Sequence, residues 1–523
     1  MAASSPSADL QNAVFKLLGD PASYGGAEVR RYETHGAVVF LAGERAIKVK
    51  RAVHFPFLDY STLAKRKAAC RAELDINRNF APQLYRRVVP ITRQADDSLA
   101  LDGTGEAIEW AVEMVRFDED KTLDHLAERG ELDDTLAGKI AIAVVAMHER
   151  AGPADTDAWI GALEGFVRNN TSIFKKHREL FAQEAVASLE QQSLAALTRL
   201  RPLLAARGRL GLIRRGHGDL HLGNIAILDG EPVAFDALEF DAVVASGDML
   251  YDLAFLLMDL VESGHASAAN WILNGYFAAS RRTADCDGIA ALPFFMSLRA
   301  AIRAMTTASR LDLGKSDVAR AARRYFDLAL ELFAPAKPMV VCTGGLSGTG
   351  KSALARALAP ELAPAPGALV FRSDVERKVL YNVAETARLP AEAYRAEVTD
   401  EVYRLLTDKA ARVARAGHSV IVDAVFAKAE ERAAIEQAVA ATGADFHGLF
   451  LMADLQTRLD RVGSRGPDAS DADAAVARQQ QELALGAVTW TIVDASGSPE
   501  ETLTKARIAL LLPPPSCLVS PLH

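Results

Sequence analysis

Two strand-like apolar patterns follow each other near the start of the chain. The segments AVVFLA and RAIKVKRAV, with Gly43-Glu44 between them, predict a β-hairpin over residues 37–53. On its second strand, Lys48 and Lys50 should share one face, because successive side chains point to opposite sides. Before the hairpin, the first dozen residues are small and polar and predict a mobile end. After it we expect a helix over about residues 61–79 and short strands near residues 84–92, 99–101 and 108–115.

The pattern then becomes helical. From residue 123 to about residue 204 the apolar spacing is that of helices, with one clear break at Gly152-Pro153. A strand-and-loop segment, RRGHGDLHLGNIAILDGEPVAFDALEFD, follows, and helices continue to about residue 333. Strands first and helices after indicate an α+β domain in which a small sheet lobe precedes a larger helical lobe.

A second pattern starts after a short linker at residues 334–338. MVVCTGG is an unbroken apolar strand of the kind buried in parallel sheets, and strands and helices alternate from there on. This alternation is typical of a doubly wound α/β domain with a parallel sheet. A chain of 523 residues is long enough for two to four domains. We predict two, at residues 1–335 and 336–523.

Composition narrows the function classes. A formal net charge of −9 gives no basic footprint, so no nucleic-acid partner is expected. The four cysteines are scattered without a CxxC pair, which makes zinc or a disulfide framework improbable and favours a reducing cytoplasm. The start of the chain lacks the features of a secretory signal, and we expect no membrane-spanning segment. The sequence does not indicate an oligomeric state.

The clearest motif is GLSGTGKS, which follows the apolar strand directly and precedes a helical run. In a P-loop the glycines let consecutive N–H groups turn toward phosphate oxygens, and the next helix adds its positive end. The lysine can neutralise phosphate charge and the serine hydroxyl can bind Mg²⁺. The predicted nucleotide-binding residues are Gly345, Leu346, Ser347, Gly348, Thr349, Gly350, Lys351 and Ser352, the last also as a metal ligand.

Two further strands should deliver polar side chains to the same edge of the sheet. FRSDVERK places Asp374 where a carboxylate can accept the proton of an attacking hydroxyl, and Arg377 one turn on can hold an acceptor. Alternatively, Asp374 caps a helix. VIVDAVF brings Asp423, which could bind Mg²⁺ through water or position a substrate. The later charged segment indicates either a lid that carries Arg461 and Arg465 to the phosphate or an exposed loop.

This part of the chain resembles the small P-loop kinases: the gluconate and shikimate kinase type, polynucleotide kinases and the zeta-toxin group. The resemblance covers residues 338 to about 512 and rests on the P-loop, the SDxxR element, the VIVDA strand and the arginine-containing lid. It implies that Asp374 is the catalytic base and Arg377 a substrate-binding residue.

In the first domain the informative segment is HGDLHLGN, followed by VAFDALEFD. Asp219 and Asn224 have the spacing of the base and the metal-binding asparagine in a kinase catalytic loop, and Asp236 follows where a second magnesium ligand is expected. Lys48 could bind the α- and β-phosphates while Glu73 holds it. Lys50 lies on the same face and is a rival.

These residues resemble the aminoglycoside phosphotransferase family, a branch of the protein-kinase-like fold that includes choline and homoserine kinases. HGDxHxxN, the following FD and the YDLAF segment carry the resemblance, which covers about residues 29–332. It implies a catalytic Asp219, magnesium at Asn224 and Asp236, and an adenine-binding hinge near Met114. The glycine-rich loop of protein kinases is absent, and only Gly36 stands in its place. His217 and His221 are expected to brace the loop.

The order of the two domains resembles a bacterial group of bifunctional aminoglycoside phosphotransferase/ATP-binding proteins. We therefore expect a Mg²⁺-requiring phosphotransferase that uses ATP rather than GTP and acts on a small hydroxylated molecule. The alternative is a nucleotide-dependent regulator in which one lobe only senses a ligand. Antibiotic resistance is a narrower hypothesis, for which the acidic composition is weak support.

Overall fold

The computed structural model describes residues 6–55, 58–309, 316–464 and 468–512. Its backbone falls into two compact units. Unit 1 consists of residues 1–165 and 205–256, and unit 2 of residues 166–204 and 257–523. The predicted domain boundary at residues 335 and 336 was drawn from sequence patterns and stays a prediction.

Unit 1 begins with an antiparallel sheet and the helices that flank it. The elements are α1 (Pro6–Leu18), β1 (Val29–Glu33), β2 (Ala37–Ala42), β3 (Arg45–Lys50), β4 (His54–Phe55), β5 (Leu58–Asp59), α2 (Leu63–Phe80), β6 (Tyr85–Arg93), β7 (Leu99–Leu101) and β8 (Glu106–Val115). Six of the strands form one sheet in the order β1-β2-β3-β8-β6-β7. The predicted hairpin is β2–β3, with Val38 opposite Val49.

The prediction of a mobile start is wrong for the described residues from Pro6 onward. They form α1, and Val14 and Leu18 are fully buried in one apolar cluster with Phe40 and Ile47 of the sheet. Leu10, Val14 and Leu18 recur every four residues, which is the spacing of one helix face. The small polar residues before them hid this pattern.

The part of the chain from residue 123 to residue 262 is mostly helical, contains the strand-and-loop segment, and belongs to unit 1 except for residues 166–204 and 257–262. The next elements are α3 (Leu123–Glu128), α4 (Asp134–Arg150), α5 (Thr156–Lys176), α6 (Gln183–Arg209), β9 (Ile213–Arg215), β10 (Ile225–Leu228), β11 (Glu231–Ala234), β12 (Ser246–Asp248) and α7 (Met249–Glu262). The break at Gly152-Pro153 is present, but the helices also separate at residues 129–133 and 177–182. Gly130, with φ 69°, follows the first of these helices in the left-handed conformation that glycine allows.

Unit 2 contains a helical part and a parallel sheet. Its further elements are α8 (Ala266–Ser280), α9 (Thr283–Gly288), α10 (Leu292–Ala308), α11 (Ser316–Glu331), β13 (Met339–Gly344), α12 (Lys351–Leu358), β14 (Leu369–Arg372), α13 (Ser373–Leu380), α14 (Ala396–Arg415), β15 (Val420–Asp423), α15 (Ala429–Ala440), β16 (Asp445–Met452), α16 (Leu455–Gly463), α17 (Ala474–Gln479), β17 (Thr491–Asp494) and α18 (Pro499–Ala509). The five strands run parallel in the order β14-β15-β13-β16-β17. This is the predicted doubly wound sheet.

Helix α8 lies against the edge of that sheet. The Asn270 and Asn274 amide groups both donate to the Ala368 carbonyl, at 3.0 and 3.1 Å, and the Val370 N–H donates to Asn274 Oδ1 at 2.7 Å. An edge strand leaves backbone groups unpaired, and here two asparagine side chains pair them in place of another strand. The edge of the parallel sheet is therefore completed by a helix that precedes the edge strand β14 by about 90 residues in the sequence.

One helical stretch, Thr283–Ala308, is long and apolar enough to cross a membrane by length and composition, and the sequence analysis did not single it out. Its apolar window is 72% buried inside the protein. Ser297 donates to the Ala329 carbonyl at 2.7 Å, which ties the stretch to α11. The core helix of a globular protein has these properties.

We expect Asn274→Ala to destabilise unit 2 by about 1–3 kcal/mol, because it leaves the Val370 N–H of β14 without its hydrogen-bond acceptor. Urea unfolding followed by circular dichroism measures the effect. Asn169→Ala, at an exposed position of α5, is the matched control and should change stability by less than about 0.5 kcal/mol. Equal effects of the two substitutions would contradict the proposed role of Asn274.

The stability of unit 2 should also fall in mild acid. Burial lowers the pKa of His418 to about 4, although its hydrogen bond to the Gly367 carbonyl opposes the shift. The unfolded chain takes up this proton near pH 6.5 and the folded chain does not, so stability is complete above pH 6.5 and is lost as the pH falls toward 4. The loss should reach about 3 kcal/mol.

His418→Gln should flatten this dependence, measured as the unfolding midpoint in urea at a series of pH values between 7 and 4. His35→Gln, at an exposed position, is the control. An unchanged slope in His418→Gln would show that other groups cause the acid sensitivity.

Candidate active sites

The loop that carries HGDLHLGN is fixed by a carboxylate from α7. Asp252 accepts hydrogen bonds from the backbone N–H groups of His217 and Gly218, at 2.8 and 2.9 Å. Gly218 has φ 80°, and a Cβ on it would lie 2.8 Å from the Ala245 Cα, so the turn requires glycine. The YDLAF segment therefore supports the loop through Asp252.

Asp219 and Asn224 meet on this loop as predicted. The Asn224 amide nitrogen donates to the Asp219 carbonyl at 2.9 Å and lies 3.3 Å from Asp219 Oδ2. Both histidines contact the loop: His217 Nε2 donates to the Phe235 carbonyl at 2.8 Å, and His221 Nδ1 accepts the Gly223 N–H at 3.1 Å. Burial lowers the pKa of His217, which keeps it neutral.

Asp236 reaches the same place through the β10–β11 hairpin, and its backbone is held from two sides. It has φ 62°, and its N–H donates to the Tyr85 hydroxyl oxygen at 3.1 Å. The next residue, Ala237, donates to Asn77 Oδ1 at 2.8 Å. The Asn77 amide donates to the Ala237 carbonyl at 3.3 Å in return. These contacts hold a left-handed conformation that an aspartate adopts at a cost.

The two candidate lysines have different ion-pair partners. Lys48 pairs with both Glu73, at 2.8 Å, and Asp236. Lys50 pairs with the other oxygen of Glu73, at 2.5 Å, and with Glu239. Lys48 is thus the lysine beside the predicted metal ligand, whereas Lys50 links Glu73 to Glu239. We name Lys48, Glu73, Asp219, Asn224 and Asp236 the kinase-like site.

The kinase-like site has the donor atoms that Mg²⁺ needs. Desolvation would raise the pKa of Asp236, but the Lys48 ammonium lowers it to about 2, so the carboxylate is ionised at neutral pH. Asn224 uses its amide nitrogen within the loop, which leaves its carbonyl oxygen for a metal. Mg²⁺ is commonly bound by one or two protein oxygens together with substrate phosphates, so two ligands suffice.

The remaining positions predicted in unit 1 lie at the ends of strands. Met114 is the second-to-last residue of β8 and pairs with Ala46 and Tyr85 of the neighbouring strands. Gly36 lies in the tight turn between β1 and β2, where the Thr34 N–H donates to the Ala37 carbonyl at 2.9 Å. The roles of these two residues as hinge and phosphate cover stay predictions.

In unit 2 the predicted P-loop lies between β13 and α12. Gly345, Gly348 and Gly350 all have positive φ, at 134°, 85° and 91°. A Cβ on Gly348 would lie 2.5 Å from the Arg458 carbonyl oxygen, so the loop requires glycine there. Lys351 Nζ donates to the Leu346 carbonyl at 3.1 Å and therefore curls over the loop.

The candidate proton acceptor Asp374 and the candidate magnesium ligand Asp423 lie at the carboxyl ends of β14 and β15. The Ser352 hydroxyl donates to Asp423 Oδ2 at 2.5 Å, which brings the two proposed magnesium-binding groups together. Burial raises the pKa of Asp374, while Arg372 opposes and Asp423 adds to this shift. The alternative that Asp374 caps a helix is wrong, because α13 begins at Ser373 and Arg372 is its N-cap. We name Lys351, Ser352, Asp374 and Asp423 with the P-loop the P-loop site.

A cavity of about 1450 Å³ extends from the P-loop along these strand ends. Arg377 lines it, but its guanidinium donates to the Ala393 carbonyl and lies over the Tyr394 ring, 4.9 Å from the centroid. Arg377 is 6% exposed, so it supports the wall of the cavity at least as much as it faces the interior. Its role in substrate binding stays a prediction.

The predicted lid is only partly described. Arg461 donates to the carbonyls of Ala495 and Gly497, at 2.8 and 2.6 Å, and a Cβ on Gly350 would lie 3.9 Å from it. Arg465 lies outside the described residues. Asp468 and Asp471 of this segment are 27% and 13% exposed and pair with cations of β14 and α13, whereas Asp473 is 53% exposed, so the lid and the exposed loop both stay predictions.

Sequence reasoning missed the residues that hold the functional ones in place. Asn77, Tyr85, Asp252 and Glu239 serve the kinase-like site, and Arg372 and Gln480 contact the P-loop site. Gln480 Oε1 accepts the Ser347 N–H at 2.7 Å, which is a bond that a phosphate oxygen could make. Arg372 was visible beside Asp374 in FRSD, but nothing in the sequence indicated its partners.

We expect Asn77→Ala to weaken Mg²⁺ binding at the kinase-like site by about 10- to 100-fold, because the Asp236 backbone loses its support. The measurement is the Mg²⁺ dependence of nucleotide binding, in a Lys351→Ala background that removes the P-loop site. Asn79→Ala, at an exposed position of the same helix, is the matched control. If both variants required the same Mg²⁺ concentration as the parent, Asn77 would have no positioning role.

Two family models match the chain. A model described as phosphotransferase enzyme family matches residues 57–286, and one described as AAA domain matches residues 340–484. The first contains Glu73, Asp219, Asn224 and Asp236, and the second contains the P-loop, Asp374 and Asp423. The matched ranges thus include the P-loop site and every residue of the kinase-like site except Lys48.

Among curated relatives, the uncharacterized protein Rv2004c of Mycobacterium tuberculosis is 30% identical over 485 residues, which is 91% of this chain and 94% of that protein. Mb2027c of Mycobacterium bovis matches equally. Among solved structures, a choline/ethanolamine kinase family protein from Mesorhizobium loti is 12% identical and covers 62% of this chain and 95% of its own, with a TM-score of 0.37. A gluconokinase from Sinorhizobium meliloti is 17% identical and covers 34% and 94%, with a TM-score of 0.25.

The match to Rv2004c extends over nearly the whole chain, the AAA model covers the P-loop site, and the phosphotransferase model covers the kinase-like site apart from Lys48. The chain therefore belongs to the same family as Rv2004c, and it is a small-molecule kinase in which a phosphotransferase-family domain precedes a P-loop kinase domain.

Proposed function

We propose that both sites transfer phosphate from ATP to the hydroxyl group of small molecules, with Mg²⁺, in the cytoplasm. One observation carries this proposal: in each unit a carboxylate suited to accept a proton lies beside a pair of oxygen-bearing side chains suited to Mg²⁺. The carboxylates are Asp219 and Asp374, and the pairs are Asn224 with Asp236 and Ser352 with Asp423. A nucleotide sensor would have no need for the proton acceptor.

At the kinase-like site, Lys48 would bind the α- and β-phosphates while Glu73 keeps it in position. Asp219 would accept the proton of the acceptor hydroxyl as its oxygen attacks the γ-phosphorus, and ADP would leave. Mg²⁺ held by Asn224 and Asp236 would neutralise charge on the phosphates. The nearby Lys48 keeps Asp236 ionised for this purpose.

At the P-loop site, backbone N–H groups of residues 345–350 and Lys351 would hold the β- and γ-phosphates. Ser352 and Asp423 would bind the Mg²⁺, directly or through water. Asp374 would take the proton of the second acceptor, and its raised pKa makes it a stronger base than an ordinary carboxylate. Arg377 and Tyr394 would contact the acceptor from the cavity wall.

The test incubates the full-length protein with a metabolite pool and γ-labelled ATP, and identifies labelled products by mass spectrometry. We expect Asp219→Asn and Asp374→Asn each to abolish one class of product, with a loss of about 10²- to 10⁴-fold in rate. Each variant should retain nucleotide affinity, because neither residue binds the nucleotide. Asp75→Asn in unit 1 and Asp317→Asn in unit 2, both at exposed positions, are the controls.

Lys351→Ala should abolish nucleotide binding at the P-loop site only. ATP hydrolysis that no acceptor accelerates, with no labelled product in any fraction, would contradict transfer and support a nucleotide-dependent regulator. If the two variants Asp219→Asn and Asp374→Asn did not each abolish a separate product class, and only one class were lost in all, a single site would be catalytic.

A further inference from the structure

Arg372 occupies the centre of the P-loop site, although no motif assigns it a role. It is the last residue of β14, and it is paired in register with Asp423 of β15. Its side chain is 12% exposed and lines the cavity that extends from the P-loop. The guanidinium therefore lies at the sheet edge where the Ser352–Asp423 hydrogen bond and Asp374 also lie.

The surroundings of Arg372 contain more carboxylates than one guanidinium can neutralise. Nη2 binds both oxygens of Asp468, at 3.0 and 3.1 Å, and Nη1 lies 3.7 Å from Glu385. Nε lies 3.4 Å from Asp423 Oδ2, but it is buried and makes no hydrogen bond within the described residues. Asp374 also contributes to the field that raises the pKa of Arg372.

This arrangement differs from that of a structural ion pair. An arginine paired with a carboxylate frequently forms two parallel hydrogen bonds from two nitrogens. Here the single hydrogen-bonded carboxylate contacts one nitrogen, and a second nitrogen is buried beside the proposed magnesium-binding Asp423. A buried donor without an acceptor is costly, so it indicates a group that another ligand is meant to satisfy.

We propose that Arg372 is a catalytic residue of the P-loop site that donates hydrogen bonds to the transferring phosphoryl group, and that Asp468 competes with that group for the guanidinium. This inference rests on the proposed nucleotide binding by the P-loop. During transfer the bond between the γ-phosphorus and the ADP oxygen breaks, a bond to the acceptor oxygen forms, and the acceptor proton passes to Asp374. Arg372 keeps its protons throughout and stabilises the charge on the phosphoryl oxygens.

The test uses the full-length protein and planar aluminium fluoride, which mimics the transferring phosphoryl group. The affinity for Mg²⁺-ADP is measured by calorimetry with and without aluminium fluoride, and the signal that Lys351→Ala removes is assigned to the P-loop site. We expect aluminium fluoride to tighten ADP binding in the parent protein. In Arg372→Ala the affinity for ADP alone should stay within about 3-fold of the parent value, because the residue lies at the far end of the phosphates.

The gain from aluminium fluoride should fall by about 10²-fold or more in Arg372→Ala, since arginines that contact a transferring phosphoryl group contribute 10³- to 10⁵-fold to rates. Arg372→Lys should restore part of the gain from aluminium fluoride, because lysine supplies the positive charge without the planar set of donors of the guanidinium. Asp468→Asn should increase the gain by about 2- to 5-fold, the range of a partly exposed ion pair. Retained ADP binding shows that each variant is folded.

A gain that is equal in Arg372→Ala and the parent would overturn the catalytic role. If Asp468→Asn reduced the gain in ADP affinity from aluminium fluoride, the proposed competition of Asp468 for the Arg372 guanidinium would be wrong, because Asp468 would then support the bound geometry. If Lys351→Ala removed no ADP signal from the parent protein, the proposed nucleotide site itself would fail, and this inference with it.

Discussion

Both sites depend on a largely buried cation that is shared among several carboxylates. Lys48 lies between Glu73 and Asp236, and Arg372 lies among Asp423, Asp468 and Glu385. Carboxylates that bind Mg²⁺ or accept protons must lie close together, and their repulsion in a dry cleft would otherwise protonate or separate them. The shared cation stabilises the cluster, and it also supplies positive charge where phosphate oxygens arrive.

The two units solve this problem with unrelated frameworks. In unit 1 the cation is on an antiparallel strand, and the helix that carries Glu73 also carries Asn77, one turn later, which holds the Asp236 backbone. One helix thus fixes both the phosphate-binding lysine and a metal ligand. In unit 2 the ends of parallel strands bring Arg372 and Asp423 together in register, so the sheet itself provides the alignment.

The sequence predicted the features that are local in the chain. GLSGTGKS, SDxxR and HGDxHxxN each carry several functional side chains within eight residues, and strand or helix patterns on either side give their context. Asn77 and Ala237 are 160 residues apart, and Arg372 and Asp468 are 96 apart. Neither pair has a distinctive spacing, and in one sequence an asparagine or an aspartate that holds a site does not differ from one on the surface. Helix α1 was missed for a different reason: the small polar residues at the start of the chain hid the helical spacing of Leu10, Val14 and Leu18.

The contacts of α8 show that the range carrying the P-loop motifs and the range forming the folded unit are not the same in this chain. The motifs of the P-loop kinase start at β13, and the predicted boundary at residues 335 and 336 follows them. The edge of its sheet, however, is paired by Asn270 and Asn274, and Arg281 at the end of the same helix donates to the Val383 carbonyl at 2.7 Å. A fragment that begins at residue 336 would keep every nucleotide-binding group of the P-loop site and would expose the backbone of β14, a site for strand pairing between molecules. We therefore expect that a fragment that folds without aggregation must include α8, although the P-loop motifs begin only at β13.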